Sequence, residues 1–308
     1  MFKWPGTPSP RASEHELADY AEVDCWKCKS TSSTALSADL GRLDENDYSD
    51  GVPEEEETVE IVTAAYVEME RRLQACRDGY PYVIDEQGHT LSVHRSVDNH
   101  RHVVYRYLLL ATRLNMKNNR VHAGIDGSLL LEELAADVAR EYLGARAESL
   151  VFGTAGVLTD FRGKINNLCQ HIKEGDGFMN RDEAPPTEKD GKLDVVAWKH
   201  FTDGLPGKLI AFGQCKTGTG YKDTLAQLQP DSFCKKWLQS PLVLTPVRMF
   251  FVAEAVSQQR WRDTSIDAGL LFDRCRIVDF CDCISKDVLA KVKEWTAAAA
   301  VANELPGQ

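Results

Sequence analysis

Several common features are missing from this chain of 308 residues. No apolar run approaches the roughly 20 residues needed to cross a bilayer. Residues 1–6 (MFKWPG) contain no apolar signal-peptide core. The nine cysteines lack the regular spacing of a disulfide framework. These absences predict a soluble cytoplasmic protein that makes no membrane contact.

Two familiar short motifs are incomplete. The stretch Thr217-Gly218-Thr219-Gly220 is not followed by the Gly-Lys-Ser/Thr of a phosphate-binding loop, so we interpret it as a turn. Cys25 and Cys28 form a single Cys-x-x-Cys pair, whereas a structural zinc ion needs about four ligands. Ordinary cysteines are the preferred interpretation, and a zinc site completed by nearby histidines stays open as the alternative.

What the chain does contain is enough apolar material for a large core, at 43% hydrophobic residues. The formal net charge of −11 argues against loose polyanion binding over the whole surface, but not against a local basic cleft. Three prolines in residues 1–12 predict a disordered tail. We expect an accessory domain over residues 13–119 and a second domain over residues 120–308.

The accessory domain is predicted to be mainly helical. Ser13 and Glu16 match a capping box, so a helix should begin there. Helical spacing of apolar residues recurs over 59–76 and 103–114, and a hairpin is indicated by residues 80–84 and 90–93 around a Gln-Gly turn.

The second domain alternates helices and strands, which is typical of an α/β fold. Strands are predicted at residues 149–153, 193–198, 208–214, 247–253 and 276–280, and helices at 128–143, 223–238 and 286–300.

Polar side chains interrupt two of these strands. Asp194 lies in one, and Gln214 and Lys216 end the next, with the latter two on one face because they are two residues apart. A separation of 20 residues (214 − 194) suits adjacent hairpin strands. Carboxylate and amide oxygens suit a hard cation such as Mg²⁺ or Mn²⁺, and an ammonium can orient water and offset phosphate charge. This set is suited to phosphodiester hydrolysis.

The helix over residues 128–143 offers one further acid. At 100° per residue, Glu132 borders the apolar face among alanines, whereas Glu133 falls almost opposite. We therefore prefer Glu132.

The order Glu132, Asp194, Gln214-Cys215-Lys216 resembles the PD-(D/E)xK nucleases, and most closely their methylated-DNA restriction (Mrr-like) branch, in which glutamine replaces an acidic residue. The resemblance covers roughly residues 126–280. It implies a restriction-endonuclease-like core, a mixed central sheet flanked by helices, and Mg²⁺-dependent cleavage of DNA. Asp194 would then be the central metal ligand.

The resemblance also implies the other roles. Gln214 would occupy the substituted ligand position, Lys216 would act on the attacking water, and Glu132 would be the helix acid. Leu193 stands where the motif has proline. Gln214 removes one negative charge, so metal binding should depend more on Asp194, Glu132 and the Cys215 backbone carbonyl. Weaker candidates for nucleic-acid contacts are Lys222, Lys235, Lys236 and Arg248, with Gln227 as a supporting polar residue.

These expectations make a metal-dependent DNA endonuclease the leading hypothesis. The resemblance further suggests a bacterial restriction or antiphage defence effector, a possible homodimer, and a possible partner defence subunit bound through the N-terminal domain. The alternatives are a nuclease-fold subunit that binds nucleic acid without cutting it, an RNA nuclease, and a non-catalytic α/β interaction protein.

Overall fold

The computed structural model describes residues 2–9, 12–44, 55–95, 99–153, 160–181 and 192–307. Its helices are α1 (Glu14–Cys28), α2 (Ser33–Asp44), α3 (Glu55–Cys76), α4 (His100–Arg113), α5 (Gly127–Leu143), α6 (Phe161–Ile172), α7 (Pro230–Trp237), α8 (Trp261–Ala268), α9 (Arg274–Asp279) and α10 (Lys286–Ala302). Its strands are β1 (Ser30–Ser32), β2 (Tyr82–Ile84), β3 (Thr90–Val93), β4 (Val121–His122), β5 (Ile125–Asp126), β6 (Ala147–Val151), β7 (Val195–Lys199), β8 (Ile210–Lys216), β9 (Val247–Val252) and β10 (Leu270–Phe272). No helix in these ranges has both the length and the apolar character required to cross a membrane.

The central sheet has five strands in the order β10-β9-β8-β7-β6. Strands β6, β7 and β8 pair antiparallel, whereas β8, β9 and β10 pair parallel, so the sheet is mixed. This confirms the expected α/β class with a mixed sheet.

Strand β8 is apolar along most of its length because both faces of the sheet are covered. Ala211 and Cys215 face the cluster that includes α5, while Ile210 and Phe212 face the cluster formed with α6 and α7. Gln214 and Lys216 follow Phe212 at intervals of two, so they continue the face that α6 and α7 cover.

The N-terminal helices pack against the sheet end through a buried ion cluster, which we define as Asp19, Glu22, Arg72, Arg113 and Arg274. All five side chains are fully buried, and Asp19 accepts hydrogen bonds at 2.6 to 3.0 Å from all three arginines. Although burial opposes ionisation, these guanidinium groups hold the pKa of Asp19 well below its usual range. The cluster ties α1, α3 and α4 to α9.

One hydrophobic cluster runs from Phe2 to Leu305 and includes residues of α1, α3, α4, α5, α10 and the sheet. The predicted division near residue 119 stays a prediction. Within the stretch 1–12, for which the sequence predicts disorder, the structure packs the first residues against α4: Phe2 is buried, and the Trp4 N–H donates to the Arg113 carbonyl at 2.9 Å.

The hairpin of the N-terminal part is confirmed, because β2 and β3 pair antiparallel. Helix α1 begins where the capping box predicted, but the Ser13 side chain makes no capping bond, and the Glu16 carboxylate accepts the Phe2 N–H instead. The capping box therefore predicted the correct start of α1, but the Ser13 side chain does not make the hydrogen bond that defines the box.

Of two element predictions near the C-terminus, one is wrong and one is right only in part. Residues 276–280 lie largely in helix α9 rather than in a strand, because the Asp273 carboxylate caps that helix by accepting the Arg276 N–H at 3.0 Å. The edge strand is β10, just before it. The helix predicted over 223–238 is confined to α7, with Pro230 at its start and a short 3₁₀ turn at Lys222–Thr224 before it.

Candidate metal and phosphodiester site

Asp194 and Gln214 meet where β7 begins and β8 ends. The antiparallel register pairs Val195 with Gly213, and extending it by one residue places Asp194 opposite Gln214. The Asp194 N–H donates to the Gly213 carbonyl at 2.9 Å, and the Cys215 N–H donates to Asp194 Oδ2 at 2.7 Å. The backbone of β8 therefore fixes the carboxylate at the strand end that carries Gln214 and Lys216.

Glu132 reaches the same region from α5. Its side chain is buried, at 8% exposure, and its carboxylate lies directly against Gly153: a Cβ added to that glycine would stand 2.3 Å from Glu132 Oε2. The Gly153 N–H donates to the Asp194 carbonyl at 2.9 Å. Gly153 thus links Glu132 to the Asp194 backbone.

Glu133 has a different environment. Its Oε2 accepts a hydrogen bond from Lys291 Nζ of α10 at 2.6 Å. The structure therefore places Glu132, and not Glu133, against Gly153, whose N–H binds the Asp194 carbonyl. The face of α5 that carries Glu133 is covered by α10 rather than turned to bulk solvent.

The Asp194 carboxyl group has an altered acidity. Burial raises the pKa of Asp194 to about 6, while the Cys215 N–H and the ammonium groups of Lys216, Lys192 and Lys164 oppose that rise by stabilising the carboxylate. A buried carboxyl with an elevated pKa next to cations is typical of functional sites.

Gln214 is the most unusual residue of the group. Its side chain is 1% exposed, and neither Oε1 nor Nε2 has a hydrogen-bond partner among the described residues. Leaving a buried amide unpaired costs about 1–3 kcal/mol. Such an amide needs a partner from outside the polypeptide, which is an ordered water, an ion or a ligand.

The donors suit a single hard cation. Asp194 and Glu132 supply carboxylates, and Gln214 Oε1 supplies a neutral oxygen that nothing in the described ranges occupies. Those ranges contain no group of three or more His, Cys, Asp and Glu side chains able to hold a metal ion. A cation here would have two carboxylate ligands, with the Gln214 amide, backbone oxygens or water completing its coordination, as Mg²⁺ and Mn²⁺ accept. The unpaired amide oxygen suits that role.

Three residues that the sequence did not single out also belong to the site. Lys164 lies on the apolar face of α6 and donates from Nζ to the Gly153 carbonyl at 3.1 Å. Lys192 precedes β7, and Gly153 follows β6. A lysine among Phe161, Ile165 and Leu168 was the available signal for Lys164, whereas nothing local in the sequence marks Gly153.

The weaker candidates for nucleic-acid contacts lie elsewhere. Lys222, Lys235, Lys236 and Gln227 are all exposed, and no hydrogen bond among the described residues joins them to Asp194 or Gln214. Lys235 pairs with Asp231 on α7 at 2.6 Å. Arg248 donates to the Leu228 and Ile266 carbonyls at 3.5 and 3.3 Å.

The Cys-x-x-Cys pair is split between two environments. Cys25 is buried and its thiol donates to the Leu91 carbonyl at 3.4 Å, whereas Cys28 is exposed and its thiol donates to Asp24 Oδ1 at 3.7 Å. The histidines considered as partners do not form a ligand cluster with these cysteines in the part of the chain that the structure describes.

Comparisons of this chain with family models, with curated proteins and with solved structures give no match, so its site is argued from its own residues.

Proposed function

We propose that this chain is a divalent-metal-dependent endonuclease that hydrolyses the phosphodiester bonds of DNA and belongs to the restriction-endonuclease-like class. The observation that carries the proposal is the unpaired Gln214 amide, buried beside Asp194 and two residues before Lys216. An apolar side chain would fill the same position without the cost of an unpaired amide. A role in binding is therefore the better explanation for the glutamine.

The surroundings of Gln214 support the same function. The mixed sheet flanked by helices, with an acid on the preceding helix and an aspartate on the adjacent strand, is the arrangement that the sequence resemblance implies. The pairing of a raised carboxyl pKa with nearby lysines also suits a site for phosphate chemistry.

Asp194, Glu132 and Gln214 Oε1 would hold Mg²⁺ or Mn²⁺, with the Cys215 backbone carbonyl as an expected further donor. Such a cation supplies positive charge next to the phosphate whose P–O bond is broken. The Cys215 N–H fixes Asp194 Oδ2, which leaves Oδ1 for binding. Lys216 donates hydrogen bonds to the attacking water and to phosphate oxygens, and stabilises the negative charge that develops there.

The test is a plasmid cleavage assay with Mg²⁺ or Mn²⁺, in which purified wild type nicks or linearises the substrate. Asp194→Ala and Lys216→Ala should each lower the initial rate at least a hundredfold while thermal unfolding stays cooperative. Lys293→Ala on the exposed face of α10 is the matched control and should cleave as wild type does.

Other outcomes would favour the alternatives. Cleavage that survives both site substitutions removes the assignment of Asp194 and Lys216. Duplex binding without cleavage under any divalent cation favours a binding subunit, and cleavage of RNA alone changes the substrate. No nucleic-acid binding at all favours an interaction protein.

The biological setting rests on the sequence resemblance alone. It suggests a cytoplasmic restriction or antiphage defence effector whose N-terminal helices contact a substrate, partner subunit or trigger. A homodimer would allow both strands to be cut. Light scattering of the purified protein, together with the ratio of linearised to nicked plasmid, tests that arrangement.

A further inference from the structure

A metal ion would bind only one of the two polar atoms of the Gln214 amide. Oε1 suits a cation, but Nε2 is a hydrogen-bond donor, and it too lacks a partner among the described residues. The adjacent carboxylate oxygen, Asp194 Oδ2, is already engaged by the Cys215 N–H. An acidic residue at this position would have no donor to offer. The Gln214 Nε2 group therefore needs a hydrogen-bond acceptor that is not part of the described residues.

Lys164 is the second unexplained group. Its side chain is buried, at 9% exposure, and lysines are almost never buried unless paired. Its hydrogen bond goes to the Gly153 carbonyl at 3.1 Å, and its charge also stabilises the Asp194 carboxylate. An ammonium has three donors, of which this bond uses one. A buried ammonium that has donors beyond this one bond is suited to binding an anion.

The charges of the site favour an anion as well. Lys164, Lys192 and Lys216 all lie close enough to Asp194 to stabilise its carboxylate. Among the described residues, these three ammonium groups are cations that act on the Asp194 carboxylate. The neutral amide of Gln214 adds no negative charge there, whereas an acidic residue would.

We propose that Lys164 Nζ and Gln214 Nε2 form a phosphate subsite for the DNA backbone, next to the oxygens that hold the metal. This inference rests on the proposed function for its ligand. Gln214 then serves two ligands at once, with Oε1 towards the cation and Nε2 towards a non-bridging phosphate oxygen. Lys164 supplies positive charge that a second metal ion would otherwise provide, so the site binds one cation.

The subsite is tested by fluorescence anisotropy of a labelled DNA duplex, first in EDTA and then in Ca²⁺. Lys164→Met should weaken binding at least tenfold, the loss expected for one charge-assisted hydrogen bond. It should also reduce the slope of log K against log salt by about 1, because one phosphate contact is lost. Lys164→Arg should retain most of the affinity, and Lys293→Met, on the exposed face of α10, should change nothing.

Gln214→Glu gives a signature that a structural role would not produce. The added carboxylate should weaken duplex binding in EDTA at least tenfold and strengthen Mn²⁺ binding measured by calorimetry, so the two affinities move in opposite directions. Wild type should bind one Mn²⁺ per chain. Gln170→Glu, on the exposed face of α6, is the matched control and should change neither affinity.

The outcomes separate this inference from the proposed function. The subsite is overturned if Lys164→Met keeps the wild-type affinity and salt slope and Gln214→Glu leaves duplex binding unchanged. This holds even if wild type cleaves DNA. Two Mn²⁺ ions per chain overturn the one-cation arrangement. Duplex binding that depends on both residues, without cleavage under any divalent cation, supports the subsite and removes the nuclease. If Lys164→Met lowers the unfolding temperature, Lys164→Gln is used in the same comparison.

Discussion

A single added methyl group at Gly153 should disable the site without unfolding the protein. The Cβ of Gly153→Ala would stand 2.3 Å from Glu132 Oε2 and 2.8 Å from its Cδ. Non-bonded carbon contacts lie at about 3.5–4.0 Å, so the carboxylate has to move by about 1 Å. A displacement of that size in a reacting group lowers rates by about a hundredfold. We expect that loss in plasmid cleavage, because the Glu132 carboxylate lies against this glycine.

The stability effect should be small by comparison. The atoms that the new methyl group meets belong to the end of a flexible side chain, so the free energy of unfolding should fall by no more than about 1–3 kcal/mol. The assays are the initial rate of plasmid cleavage and a urea denaturation curve. Gly307→Ala is the control, since its Cβ would stand 3.7 Å from Val301, an ordinary contact.

A second substitution tests the same contact. Glu132→Asp shortens the acid by one methylene, so the double variant Gly153→Ala, Glu132→Asp has room for both groups. It should cleave faster than Gly153→Ala alone and bind Mn²⁺ more tightly by calorimetry. Wild-type cleavage by Gly153→Ala would show that the position of Glu132 does not matter and would refute the reasoning.

Three further predictions concern buried polar groups. Asp19→Asn should lower the free energy of unfolding by about 3–5 kcal/mol in urea denaturation. The reason is that the arginines of the buried ion cluster lose their shared carboxylate. A loss of stability no larger than that of the exposed control Asp267→Asn would contradict this. Gln214→Met should raise the free energy of unfolding by about 1 kcal/mol, because the variant removes two unpaired buried atoms. It should also abolish cleavage. A destabilised variant would mean that the amide is paired in solution. Burial raises the pKa of Glu254 from 4.5 to about 7, so the folded state holds its proton more tightly than the unfolded state does. The resulting stabilisation is fully present below about pH 4.5 and is lost as pH rises to about 7, so wild type should lose about 3 kcal/mol relative to Glu254→Gln across that window. Parallel pH profiles of the two proteins would count against it.

The pH prediction depends on what surrounds Glu254. Its carboxyl group is 2% exposed and lies 3.9 Å from both Arg113 Nη2 and His15 Nε2. Arg113, Lys222 and Arg274 lower the pKa of Glu254 and Asp19 raises it, while burial is the largest influence. Burial also lowers the pKa of the neighbouring His15.

Much of the sheet follows from local sequence. Alternating or continuous apolar runs identified β7, β8 and β9, because strands covered on both faces need apolar residues at successive positions. The short distance along the chain between Asp194 and Gln214 identified them as neighbours, since consecutive strands usually pair. Helical spacing placed Glu132 on the buried edge of α5.

Where sequence patterns failed, a contact from elsewhere in the chain or a local cap decided the outcome. The apolar pair Ile277-Val278 suits a strand or a helix equally, and the Asp273 cap favours the helix. Phe2 lies among prolines, yet it packs over the Arg113 guanidinium at 4.7 Å. The Asp273 cap lies within a local window of sequence, whereas the packing of Phe2 on Arg113 does not.

The sequence by itself thus determined which residue types are available and which of them share a strand or a helix face: Asp194 beside Gln214 and Lys216, and Glu132 on the apolar edge of α5. Only the tertiary structure decided that Gly153 presses on Glu132, that Lys164 enters from α6, and that the Gln214 amide is left unpaired. The physical reason is that periodicity reports on which side of an element a residue lies. Burial, charge balance and hydrogen-bond pairing depend on groups that meet only after the chain has folded.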